Sequence, residues 1–215
     1  MAEWTTDQLV EELFARCFTA VFSWRKPDGS VQLRPQGGGG SSVGLGLACR
    51  LESECARATL SPSQRPDVAR LLGDYPPLQF EPLDFATTDQ VLAELMRVTP
   101  GDWVLGLFRL RKNMLHHWSG LCWHGSAPTC TGLAAVMANV IEGNIRTRRL
   151  AEGGSFREQL AKPLNAVHRN LVAEDTGGRT WAIGYLRVCE GLCEEYTARG
   201  APEGNLARFV DMDEP

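Results

Sequence analysis

The sequence predicts an α+β fold in which helices pack on mainly antiparallel hairpins. Three observations carry that prediction: two helix starts with the same capping chemistry, local turns joining apolar runs, and no regular alternation of strand and crossover helix. The first helix start is Thr5-Thr6-Asp7-Gln8-Leu9-Val10-Glu11-Glu12-Leu13. Thr5 can accept from the backbone N–H three residues on while Gln8 reaches back, the reciprocal pairing of a capping box. Leu9, Leu13 and Cys17 then supply a stripe at helical spacing.

A strand–turn–strand follows. The run from Phe18 to Trp24 leads through Pro27-Asp28-Gly29-Ser30 to Val31–Arg34. Proline presets one backbone angle of that turn and glycine supplies the positive one. Gln36 to Ser42, with four consecutive glycines at 37–40, reads as a flexible loop. It lacks the Lys-Ser/Thr and the fixed glycine spacing of a phosphate cradle. Leu45 to Leu60 reads as a helix ended by Ser61-Pro62, Asp67 to Leu72 as a short one, and Asp74 to Phe85 as a proline-broken connector.

The opening pattern then returns 82 positions later, as Thr87-Thr88-Asp89-Gln90-Val91-Leu92-Ala93-Glu94-Leu95. A second strand–turn–strand is expected over Trp103–Leu110, Arg111-Lys112-Asn113 and Met114–Trp118. The chain thus divides into a helix–hairpin unit at 1–84, a related unit at 85–199 that holds a His/Cys cluster, and a frayed acidic tail at 200–215. After the second hairpin, Ser126 caps a helix with Pro128 just inside. Its expected buried stripe is Leu133, Val136, Met137, Val140 and Ile141, with Gly143 and Arg146–Arg149 near its end. Leu164–Ala173 and Arg179–Val188 read as a hairpin about the turn at 174–178, and Cys189–Ala198 as a last helix.

Composition sets the outer bounds. The 215 residues are 43% hydrophobic and 22% charged, which suits a globular core and excludes collagen, coiled coil and wholesale disorder. Net charge is -4, from 22 Lys+Arg against 26 Asp+Glu, so no global attraction to nucleic acid or an anionic membrane is expected. No apolar run approaches the roughly 20 residues of a membrane helix, and the acidic start does not read as a signal peptide. Seven cysteines without a secretory signal point to reduced thiols and an intracellular location.

Three of the four histidines and two of the cysteines fall between His116 and Cys130. With Ser119-Gly120 as a two-residue turn, His117 lies opposite Cys122, and His117, Cys122 and His124 share one strand face. Cys130 falls in the first turn of the next helix, where the dipole favours thiolate. Two imidazoles and two thiolates make a tetrahedral zinc set, so His117, Cys122, His124 and Cys130 are the candidate ligands of a structural zinc. The plain alternative is that these are satisfied core side chains.

Two resemblances touch this segment. Leu121 to Cys130, followed by an apolar helix, resembles the His/Cys segment of the adenoviral early-region-four thirty-four-kilodalton proteins over about twenty residues, with Gly125 where that family has a ligand cysteine. The resemblance implies a viral accessory adaptor: zinc-linked, non-enzymatic, binding host regulatory or ubiquitin-ligase components in the cytoplasm or nucleus. Gly120-Leu121-Cys122-Trp123, with the later strand around His168, resembles the nucleophile segment and histidine strand of papain-like proteases. That resemblance implies instead a cysteine hydrolase using Cys122 or Cys130 with His168 as base. Cys189 and Cys193, one helical turn apart, form a lesser pair; Cys17, Cys49 and Cys55 are expected in the core.

Overall fold

The computed structural model describes residues 4–37, 41–60, 72–78, 83–110, 119–152, 180 and 183–191. In chain order these form α1 (Thr6–Ala15), β1 (Cys17–Arg25), β2 (Val31–Gly37), α2 (Ser41–Leu60), a 3-10 turn (Leu83–Phe85), α3 (Thr88–Val98), β3 (Trp103–Leu110), β4 (Ser119–His124) and α4 (Ala127–Glu152). Residues 183–191 are helical. The architecture is α+β, built on a four-stranded antiparallel sheet of order β2-β1-β3-β4.

Both capping boxes form. Gln8 N donates to Thr5 Oγ1 at 3.3 Å and Thr5 N to Gln8 Oε1 at 2.9 Å. Around α3 the equivalent bonds are 3.2 Å for Gln90 N to Thr87 Oγ1 and 2.7 Å for Thr87 N to Gln90 Oε1. Each box satisfies backbone donors that the first helical turn would otherwise leave orphaned. The β1–β2 turn also forms as its residues dictate: Gly29 sits at φ +83°, and Asp28 Oδ1 accepts Ser30 N at 2.8 Å.

Helices cover both faces of the sheet. Ala20, Phe22, Trp103, Leu105 and Leu107 point to α1 and α3, where they meet Leu9, Leu13, Val91 and Leu95. Val21, Val104, Phe108 and Trp123 point the other way, to α2 and α4, against Leu47, Leu51, Leu133 and Met137. This double cover explains why β1 and β3 read as largely apolar runs, with Thr19 and Ser23 the buried polar residues of β1. Gly106, at the centre of β3, keeps α2 close, since a Cβ there would stand 2.9 Å from Val21 Cγ2 and 3.1 Å from Leu47 Cβ.

Several sequence expectations are corrected. Ser119 and Gly120 are not a turn; they are strand residues of β4 paired with Phe108 and Leu107. Cys17 opens β1 instead of closing the α1 stripe. α2 begins at Ser41, four residues before the expected Leu45. α4 runs through Gly143 to Glu152, and Val136 and Val140 are its exposed side, 47% and 41% accessible; the buried stripe is Cys130, Leu133, Met137, Ile141 and Ile145. Residues 183–188, expected as strand, are helical. That helix docks on α2 through Gly184, where a Cβ would strike Ser42 O; Thr180 also reaches α2, where a Cβ on Gly46 would strike its carbonyl oxygen. Arg187 ties it to α4, with Nε donating to Glu142 Oε2 at 2.8 Å and Nη2 to Asn139 Oδ1 at 2.7 Å. The glycines at 38–40, the expected helix at 67–72 apart from its last residue Leu72, which is helical, the strands at 114–118 and 164–173, the turn at 174–178 and the tail at 200–215 lie outside the described residues.

Candidate functional site: the His/Cys segment

β4 carries the segment, and its register decides which side chains meet. Cys122 is paired with Leu105, Trp123 with Val104 and His124 with Trp103. Directly opposed residues of an antiparallel pair project from the same face. Cys122 and His124 therefore project with Leu105 and Trp103 toward α1 and α3, and Trp123 projects with Val104 toward α2 and α4.

A sharp turn then hands the chain to α4. Gly125 adopts φ +101°, and its Cβ position is taken by Asp102, whose Cα would stand 3.0 Å away. Asp102 Oδ1 accepts Ser126 N at 2.6 Å, and Ser126 O accepts Cys130 N at 2.9 Å, the first helical bond of α4. An acidic side chain at this end complements the helix dipole as well as its orphan N–H groups. Asp102 lies 24 residues before Ser126 in the chain, so no local pattern announces it.

His124 is held on its own face. Its ring stacks on Trp103, with centroids 5.9 Å apart and planes 19° from parallel, and Nδ1 lies 3.1 Å from Gly101 O. A carbonyl only accepts, so this contact places the proton on Nδ1 and leaves Nε2 as the ring's acceptor in the neutral form. Trp103 is itself fully buried and packs on Phe22, so the imidazole rests on a fixed surface.

Cys130 belongs to the opposite face. It is fully buried in the core between the sheet, α2 and α4. Its Sγ is 3.1 Å from His124 O and 3.7 Å from Trp103 O. Its link to His124 is thus to the backbone and not to the ring. A hydrogen bond with the Cys55 thiol, burial, and the charge of Asp102 drive its pKa far above the ordinary thiol range. The dipole of α4, expected to favour thiolate here, is outweighed. Burial likewise pushes the Cys122 thiol up to about 12. Neither sulfur is a thiolate near neutral pH, and Cys122 lies in mid-strand, not at a helix start.

The three expected zinc ligands that are described do not all share a face. Cys122 and His124 share a face, Cys130 is on the other side of the sheet, and His117 lies outside the described residues. Among the described residues, no three His, Cys, Asp or Glu side chains converge as a metal-holding group. His168, the expected base of a hydrolase, and Cys193 also lie outside the described residues. Cys17 and Cys55 are buried; Cys49, partly exposed, meets Arg187 Nη1 at 3.4 Å. The residues that the sequence reading missed are Asp102 and Cys55, both distant in the chain and brought in by sheet and helix packing.

No helix among the described residues is long and apolar enough to cross a membrane. Comparison of the chain with protein-family models, with curated proteins and with solved structures found no match.

Proposed function

We propose that the protein is a non-enzymatic interaction protein, an adaptor of the viral accessory kind that binds host factors inside the cell. One observation carries the choice of adaptor over cysteine hydrolase: both candidate nucleophiles, Cys122 and Cys130, have thiols held in the protonated state, and they project from opposite faces of the sheet. A cysteine nucleophile needs a lowered pKa, and the surroundings of both thiols raise theirs. The identity of the host factors, regulatory or ubiquitin-ligase components, rests on the resemblance of Leu121–Cys130 to the adenoviral segment.

Zinc belongs to this reading in a reduced form. Cys122 and His124 lie on one face, and His124 offers Nε2 once Nδ1 is engaged by Gly101 O; Cys130 lies across the sheet, and His117 stays a candidate ligand from the sequence alone. A backbone carbonyl orienting the second ring nitrogen is the usual support of a histidine ligand. The bound ion would add folding free energy to the β4 edge. The finer organisation, two related units at 1–84 and 85–199, is supported by the repeated order α-β-β-α and by the matched capping boxes of α1 and α3.

Quantitative affinity purification of the full chain from host cells, with and without a zinc chelator, tests the proposal. The adaptor reading expects a protein recovered in near-stoichiometric amount and reduced by the chelator. Recovery no greater than that of an unrelated chain of equal size contradicts it. A stoichiometric partner indifferent to chelator, with no zinc in the purified protein, keeps the adaptor and removes the metal.

A further inference from the structure

We draw no further inference here: the strongest candidate, the uncharged ridge of Val136 and Val140 on the outer side of α4, is an apolar helix face, and nothing in the structure shows what covers it.

Discussion

Gly184→Ala is the sharpest perturbation of the α2–α4 side of the fold. The added methyl would strike Ser42 O and stand 2.7 Å from Gly46 N and 2.9 Å from Ser42 C, where ordinary contact begins near 3.4 Å. All three atoms are backbone of the first turns of α2, so no side chain can rotate out of the way. The 183–191 helix must retreat by roughly 1 Å, which forfeits a quarter to a half of each contact well along the seam. Overpacking alone costs about 1–3 kcal/mol. Retreat also loosens the buried Val188 and the charge-assisted bonds from Arg187 to Glu142. A total near 3 kcal/mol lowers Tm by roughly 6–12 °C for a chain of this size. The control is Gly143→Ala, inside α4, where an added Cβ meets nothing within 4 Å. There the gain in helix propensity, about 0.5–1 kcal/mol, should raise Tm slightly. Thermal unfolding followed by circular dichroism reads both variants. A Gly184→Ala protein melting within about 2 °C of wild type, or above it, refutes the close helix contact.

Three further outcomes are expected. Thr5→Ala and Thr87→Ala each remove one half of a capping box and should cost about 1 kcal/mol in denaturant titration, while a cost near zero at either position would mean that its cap is dispensable. Met137→Ala should cost about 2–5 kcal/mol, and Val136→Ala should stay within about 0.5 kcal/mol; a cost at Val136 of about 1 kcal/mol or more would restore it to the buried stripe expected from sequence. Alkaline pH should destabilise the fold through Cys122. Its folded pKa of about 12 lies above the ordinary 9.0, so the contribution is intact below 9.0 and falls away as the unfolded chain loses its proton first, between 9.0 and about 12. Tm against pH should therefore fall less steeply above about pH 9 in Cys122→Ala than in wild type, with a residual slope from Cys49 and Cys130, whose pKa values are also raised. An identical slope in variant and wild type would remove Cys122 from the effect.

The parts of this fold that were legible in the sequence are those fixed by neighbouring residues. Thr5 with Gln8, Thr87 with Gln90, and Pro27-Asp28-Gly29-Ser30 each complete their hydrogen bonds within four residues, and each formed as its chemistry dictates. The errors arose where distant partners override local preference. Ser119-Gly120 looks like a turn dipeptide, yet pairing with Leu107 and Phe108 holds it extended. Residues 183–188 carry the β-branched and aromatic residues of a strand, but Gly184 fits against Ser42 and Gly46 only as part of a closely docked helix. On α4, Val136 and Met137 are equally apolar, and only the placement of α2 and the sheet decides which is buried.

The His/Cys segment shows the same division. Its clustering and the start of α4 at Ser126-Ala127-Pro128 were readable, because both are local. Which face each ligand takes was not, because it depends on the β3–β4 register, and moving the turn away from Ser119-Gly120 changes the partner of every residue in β4. The environment of Cys130 was unreadable for a different reason. Its shift comes from Cys55 on α2 and Asp102 ahead of β3, neither within reach along the chain.

Residue-resolved alkylation decides whether partly buried Cys122 and fully buried Cys130 are protonated thiols or nucleophiles. The native full chain is treated with iodoacetamide at several pH values between about 7 and 9, and each cysteine is followed by peptide mass against a denatured control. Protonated thiols at Cys122 and Cys130 should react at least about 100-fold more slowly than in the unfolded chain, with no inflection in that pH range, because little thiolate forms and Cys130 is fully buried. Rapid alkylation of either residue, with an inflection near neutral pH that disappears in His168→Ala, would contradict the protonated state and return the protein to the cysteine hydrolases.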